Sequence, residues 1–257
     1  MGSELWAPTR EELDLENLGE IKPKVLEKAP EVIIHAAAWT DVDGCEREPG
    51  KARRVNWLAT KELVSAAVEL NSLFIYISTD YVFDGVKGAY REGDEPNPLQ
   101  VYGLTKLWGE REALRVPRGY AVRVSWVFGP GGKNFLSRFV DLAKEGKPIK
   151  AIVDQSSAPS YAPFLARELL SFVEGSLPYG LWHLAGAEEA SYYQFIKEGM
   201  RMLGLGEPEP VLSAQMPRPA RRPRRSFLIS EAYKEFTGRE VPGWREGLRH
   251  FLENYGS

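Results

Sequence analysis

The run Leu73-Phe74-Ile75-Tyr76-Ile77 constrains this chain more than any other stretch, because it is apolar without alternation and ends on Ser78-Thr79. A strand of that kind is buried on both faces, as in parallel sheets covered by helices. Its hydroxyls then emerge at the carboxyl end of the strand, where open α/β sheets bind ligands. Further strand-like runs stand at residues 31–38 and 120–127. Helical patterns separate them, one carrying Ile21, Val25 and Leu26, another over residues 50–70 carrying Val55, Leu58, Leu63, Val64 and Ala67. Strands alternating with helices predict an α/β fold built on a parallel sheet. Beyond residue 153 the pattern is less regular, with helices expected over 162–174, 192–203, 230–236 and 244–254 and a proline-rich connector over 208–223.

Tyr102 and Lys106 lie one turn apart at the start of a helical pattern that continues through Leu107, Trp108 and Leu114, so phenol and ammonium share a face. A fixed cation beside a phenol favours the phenolate and lowers a pKa that is ordinarily about 10. Tyr102 is then expected to exchange a proton near neutral pH. Carbonyl reduction by hydride transfer calls for this set. Thr79 would hydrogen-bond the carbonyl oxygen as charge grows on it, Tyr102 would protonate it, and Lys106 would hold the tyrosine acidic while gripping a cofactor ribose. Helices often produce Tyr-x-x-x-Lys with a half-buried tyrosine and a snorkelling lysine. The hydroxyl-ended strand ahead of it singles this instance out.

The string Ser78-Thr79-Asp80-Tyr81-Val82-Phe83-Asp84-Gly85 is followed by Pro96-Asn97-Pro98-Leu99, by Tyr102-Gly103 and Lys106, and by Arg123-Val124-Ser125-Trp126-Val127-Phe128-Gly129. These segments resemble the extended short-chain dehydrogenase/reductases, and among them the dTDP-4-dehydrorhamnose reductase family. The resemblance continues through Ala36-Ala37-Ala38-Trp39-Thr40, Asn134-Phe135, Asp154-Gln155, His183-Leu184-Ala185-Gly186 and Ala220-Arg221-Arg222-Pro223. It implies a Rossmann-like, doubly wound parallel sheet with a smaller C-terminal substrate lobe. Residues 1–130 would form the dinucleotide-binding part, with 157–185 returning to it, and 131–156 and 186–257 would form the lobe. The implied activity is reduction of the 4-keto group of a nucleotide-linked 6-deoxy sugar, dTDP-4-dehydrorhamnose to dTDP-rhamnose, with NADPH or NADH. Cofactor contacts are implied at Ala36, Ala37, Ala38, Ser78, Tyr102 and Lys106, and substrate contacts at Thr40, Val42, Trp126 and Asn134. Asn56, an amide within an otherwise apolar helix, is expected to brace the strand ends near the site.

One departure from the family stands out. Its members open with a strand and a glycine-rich turn whose amides hold the cofactor pyrophosphate, and residues 4–8 here already read as the family's second strand. The chain as given is expected to lack that first β-α unit. Neither Gly129-Pro130-Gly131-Gly132 nor Gly204-Leu205-Gly206 completes the glycine pattern. Arg10 stands where a 2′-phosphate could be paired, and Thr9 replaces an acid that would favour a free ribose hydroxyl, so the cofactor leans toward NADPH. A non-catalytic or cofactor-deficient relative acting as a regulatory or binding subunit is the alternative, since the regulatory subunit of methionine adenosyltransferase resembles the same family.

Composition narrows the setting. With 257 residues, 43% hydrophobic and 27% charged, the chain can bury a substantial core, and a net charge of −3 calls for neither nucleic acid nor a membrane surface. The first residues carry acids and no apolar signal segment, so a cytoplasmic location is expected. Cys45 is the single cysteine, and His35, His183 and His250 form no metal-ligand spacing, so no metal is expected. The cluster Arg218, Arg221, Arg222, Arg224 and Arg225 lacks interleaved aromatics, which makes it mostly solvated surface. Arg222 is singled out as a diphosphate contact, because a guanidinium binds such groups bidentately. A homodimer is an open expectation.

Overall fold

A computed structural model describes residues 4–131, 135–175 and 177–254. The apolar runs become the strands of a four-stranded sheet: β1 (Val32–His35), β2 (Leu73–Thr79), β3 (Gly119–Val124) and β4 (Gly180–His183). All pairings are parallel and the spatial order is β1-β2-β3-β4, with Ile34 opposite Ile75, Tyr76 opposite Ala121 and Val122 opposite Trp182. Helices cover both faces, as the unbroken hydrophobicity of β2 requires. Phe74 and Tyr76 point into a core with Ile21 and Val25 of α1 (Leu18–Lys28) and Leu63 and Val64 of α2 (Ala59–Leu70). Leu73 and Ile75, offset by one residue, point to the opposite face. Each such side chain contributes about 1.5–3 kcal/mol when fully buried.

The catalytic-helix candidate is α3 (Val101–Ala113), which lies against β2 and α2. A second core gathers α4 (Phe135–Lys144), α6 (Tyr192–Met202) and α8 (Trp244–Glu253) around Phe128, Ala151 and Tyr161. Between them in sequence, α5 (Ala162–Val173) returns to the sheet through Leu165 and Phe172. Part of the C-terminal stretch packs on the main sheet. Tyr233 of α7 (Glu231–Thr237) and Val241 pack into the sheet core, and Ser226–Leu228 pairs in parallel with Gly88–Tyr90.

Three local expectations change. Residues 4–8 form no strand: Trp6 packs its ring against the α1/α2 core while Leu5 is exposed. Strand β1 therefore lies at the sheet edge, with no strand on its outer side among the described residues, and Ile34 is 48% exposed. The helix expected over residues 50–70 divides into a short α-helix Pro49–Arg53, a π-helical segment Arg54–Leu58 and α2. The strand expected over residues 120–127 breaks at Trp126, whose φ of 41° turns the chain out of the main sheet toward Val127–Phe128. A tryptophan in that left-handed region is strained, a feature that clusters at functional sites. Among the described residues no helix is long and apolar enough to cross a membrane.

Candidate active site

The carboxyl ends of β1, β2 and β3 open onto a cavity of about 1010 Å³. Ser78 and Thr79 reach it from the end of β2, Tyr102 and Lys106 from α3, and Ala36, Ala38, Thr40 and Val42 from the segment after β1. Helix α3 comes this close because glycine meets the sheet side. A Cβ on Gly103 would strike the Tyr81 carbonyl, and one on Gly109 would lie 2.8 Å from the Asn56 carbonyl oxygen and strike the Tyr76 hydroxyl. The helix has no side-chain N-cap, and the first of its free amides, Val101 N, donates to Glu46 Oε2 at 3.0 Å.

Asn56 sits in the π-helical segment, a distortion that recurs at functional sites. Its Oδ1 accepts from Trp39 N at 2.8 Å, and its Nδ2 donates to Trp39 O at 3.2 Å and to Thr105 Oγ1 at 3.3 Å. One buried amide thus ties the chain beyond β1 to α3.

The electrostatics differ from the simple cation-beside-phenol picture. Burial raises the Tyr102 phenol above its ordinary value, and the Thr79 hydroxyl pulls it partly back. The Lys106 ammonium is directed elsewhere. Its Nζ donates to Ile77 O at 2.7 Å and stands 4.1 Å from the centre of the Tyr76 ring. Lys106 is 2% exposed, and burial pushes its pKa down to about 7, with the Glu110 carboxylate one turn along opposing the shift. The expected lowering of Tyr102 by Lys106 is therefore corrected: desolvation is the dominant influence on both groups in this arrangement.

Several anticipated contacts are placed otherwise. Arg10 does not line the cavity, and its guanidinium bonds Glu16 Oε1 at 2.5 Å and lies 3.5 Å from Asp14. Ala36 and Ala38 line the cavity, whereas Ala37 does not. Asn134 lies outside the described residues. Trp126 does line the cavity, its ring edge-on to Tyr192 at 5.5 Å. Arg222 lines it too, but its guanidinium already holds Asp43 bidentately, Nη1–Oδ1 2.5 Å and Nη2–Oδ2 2.9 Å. That pairing holds the Asp43 carboxyl below its usual range.

Other residues were not singled out. Arg138 and Arg218, both exposed, line the cavity with Tyr192 and Gln155. The Arg-rich connector carried the signal for Arg218, whereas a lone Arg138 in an amphipathic helix carried none. Beneath the site, Glu110 Oε2 accepts from Ser78 Oγ at 2.8 Å and from Arg123 Nε at 3.0 Å. The positions of Ser78, Tyr102 and Lys106, with small Ala36 and Ala38 beside them, fit the ribose and nicotinamide end of a dinucleotide. Among the described residues no glycine-rich turn leads from a main-sheet strand into a helix where a pyrophosphate would rest. No group of three or more His, Cys, Asp or Glu among the described residues could hold a metal ion.

The family described as "RmlD substrate binding domain" matches residues 1–257. The dTDP-4-dehydrorhamnose reductase of Burkholderia thailandensis is 34% identical over 255 residues, covering 92% of this chain and 86% of that protein. The spore coat polysaccharide biosynthesis protein SpsK of Bacillus subtilis is 31% identical, covering 100% of this chain and 90% of its own. Among solved structures, dTDP-4-dehydrorhamnose reductase from Bacillus anthracis in complex with NADP superposes with a TM-score of 0.92 at 29% identity, over 96% of this chain and 89% of that one. The Clostridium acetobutylicum ortholog gives 0.90 at 34% identity, with 96% and 89% covered.

Proposed function

The chain belongs to the dTDP-4-dehydrorhamnose reductase family, and from that premise we propose that it reduces the 4-keto group of a dTDP-linked 6-deoxy sugar at the expense of NADPH. The observation that carries this reading is the convergence of Thr79, Tyr102 and Lys106 on one wall of the cavity. A nicotinamide cofactor bound beside Ala36, Ala38 and Lys106 would supply hydride to the carbonyl carbon. Tyr102 then delivers its proton to the carbonyl oxygen, and the Thr79 hydroxyl stabilises the charge growing there. Desolvation keeps Tyr102 protonated until that charge appears, so it acts as an acid in the reducing direction. The choice of NADPH over NADH rests on the NADP bound to the Bacillus anthracis relative.

The substrate side follows from the far wall. Arg138 and Arg218 offer positive charge for a diphosphate, and Trp126 and Tyr192 offer aromatic edges for the sugar or base. Arg222, its charge balanced by Asp43, keeps the wall in place.

The test is to follow the loss of NADPH absorbance when the purified chain meets dTDP-4-dehydrorhamnose. Turnover is expected at NADPH concentrations raised until the rate saturates, because no glycine-rich turn among the described residues seats the pyrophosphate, and Tyr102→Phe should lower it by roughly 10²–10⁴-fold, the usual weight of a positioned general acid, with the melting temperature little changed. No consumption of the keto sugar, or full activity in the variant, overturns the reading.

A further inference from the structure

Asp80 follows Thr79 directly and is 2% exposed, yet the reaction described above leaves it no role. Its Oδ2 accepts from Ser226 Oγ at 2.6 Å and from Ser157 Oγ at 3.1 Å, and its Oδ1 accepts from Thr79 Oγ1 at 3.3 Å. The Ser125 and Ser157 hydroxyls meet at 2.6 Å, and the Ser125 hydroxyl also acts on the carboxyl. These serines come from three distant places: the turn after β3, the two-residue strand Ser156–Ser157 and the strand Ser226–Leu228. One carboxyl therefore gathers the C-terminal part of the chain beneath the catalytic threonine.

Among the described residues no cation pairs with the carboxyl. The Tyr81 and Tyr102 phenols face it from the following turn and from α3, each feeling its charge. The Arg225–Glu189 pair, Nε–Oε1 2.7 Å, flanks Ser226 and Ser156 and is closed on itself. Burial raises the Asp80 pKa to about 6, and only hydroxyl donors oppose it. Both forms of the carboxyl are then populated near neutral pH.

Resting on the reductase reading of the cavity, we propose that Asp80 is a positioning residue whose protonation state sets the direction of the Thr79 hydroxyl. When the carboxyl is ionised, Oδ1 takes the Thr79 proton, and the threonine oxygen also accepts the Tyr81 amide at 3.1 Å. Thr79 then offers the cavity only a lone pair. When the carboxyl is neutral, the short bond from Ser226 Oγ keeps Oδ2 an acceptor, so the added proton sits on Oδ1 and is donated to Thr79 Oγ1. The threonine's own proton is thereby released toward the cavity, where a substrate carbonyl oxygen can receive it. Neutral Asp80 makes Thr79 the donor that reduction requires.

The experiment compares turnover of the wild-type chain and Asp80→Asn across pH, because the amide can donate to Thr79 at every pH. The ratio of variant to wild-type turnover should rise about tenfold between about pH 5 and about pH 7, as the neutral fraction of a group titrating near 6 falls. A uniformly reduced variant, the mark of a merely structural role, overturns the proposal. A second readout needs no ligand. A carboxyl whose folded pKa lies above its unfolded value of about 3.9 contributes stability fully below that value and loses it as pH rises through about 6. The wild-type melting temperature should accordingly fall relative to Asp80→Asn between about pH 4 and about pH 7. Parallel melting curves overturn the proposal even if the chain proves to have no reductase activity, a result that would fell the family reading separately. Ser226→Ala removes a donor to the charged form and should move both transitions to higher pH. Unmoved transitions count against Asp80, and this variant carries the test alone if Asp80→Asn fails to fold.

Discussion

Glu110 and Arg123 close a bidentate ion pair beneath the cavity, with Nη2–Oε1 at 2.5 Å, Nε–Oε2 at 3.0 Å and neither side chain more than 3% exposed. Desolvation of such a pair largely offsets its attraction, but removing one partner strands a charge in the core. The same carboxylate receives the Ser78 hydroxyl and raises the pKa of Lys106. Arg123→Met is therefore expected to destabilise the chain by about 3–5 kcal/mol. Replacing both residues with apolar side chains of similar volume should recover much of that loss. Urea unfolding of the single and double variants checks this, and a single variant as stable as the wild type would contradict it.

Lys106 makes a prediction of opposite sign along the pH axis. Its folded pKa, about 7, lies below the ordinary lysine value, so the unfolded chain binds the extra proton between the two. Stability of the ligand-free chain should rise as pH climbs from about 7 toward about 10, and Lys106→Met should be the more stable protein at the low end of that window. The advantage, on the order of 2–4 kcal/mol, should shrink as the pH rises. Thermal melts at several pH values measure it. The variant should also lose reductase turnover, which separates the lysine's functional value from its cost to the fold.

The Asp43–Arg222 pair joins the helix Val42–Arg47 to the Arg-rich connector, and Ala220 N adds a bond to Asp43 Oδ1 at 3.1 Å. Arg222→Ala should weaken binding of dTDP, because it leaves the Asp43 carboxylate unpaired beside a diphosphate and loosens the wall. Isothermal titration with dTDP gives the answer, and unchanged affinity would remove Arg222 from the site. The pair's contribution to stability is present above the ordinary carboxylate range and is lost as pH falls through the lowered pKa of Asp43.

The order of strands and helices, the strand-end hydroxyls and the Tyr102–Lys106 turn were all legible along the chain, because each depends on residues within one element. An unbroken apolar run is buried wherever it goes, and residues four apart on a helix always share a face. Where a neighbour in space outweighed local pattern, the reading failed. The family resemblance placed a strand at residues 4–8, but Trp6 settled against the α1/α2 core. Residues 120–127 read as one strand, but Trp126 turns the chain toward a different sheet.

By itself, then, the amino-acid sequence determined the parallel α/β architecture and singled out Thr79, Tyr102 and Lys106, which the fold brings to one cavity. Only the tertiary structure decided what surrounds them. Asp80 bonds Ser226 across 146 residues and Arg222 bonds Asp43 across 179. Periodicity carries no record of such separations. Burial works the same way, for it is a property of what the rest of the chain covers. Desolvation moved Lys106 to about 7 and Asp80 to about 6, and it raised Tyr102 against the expectation drawn from its neighbour in sequence.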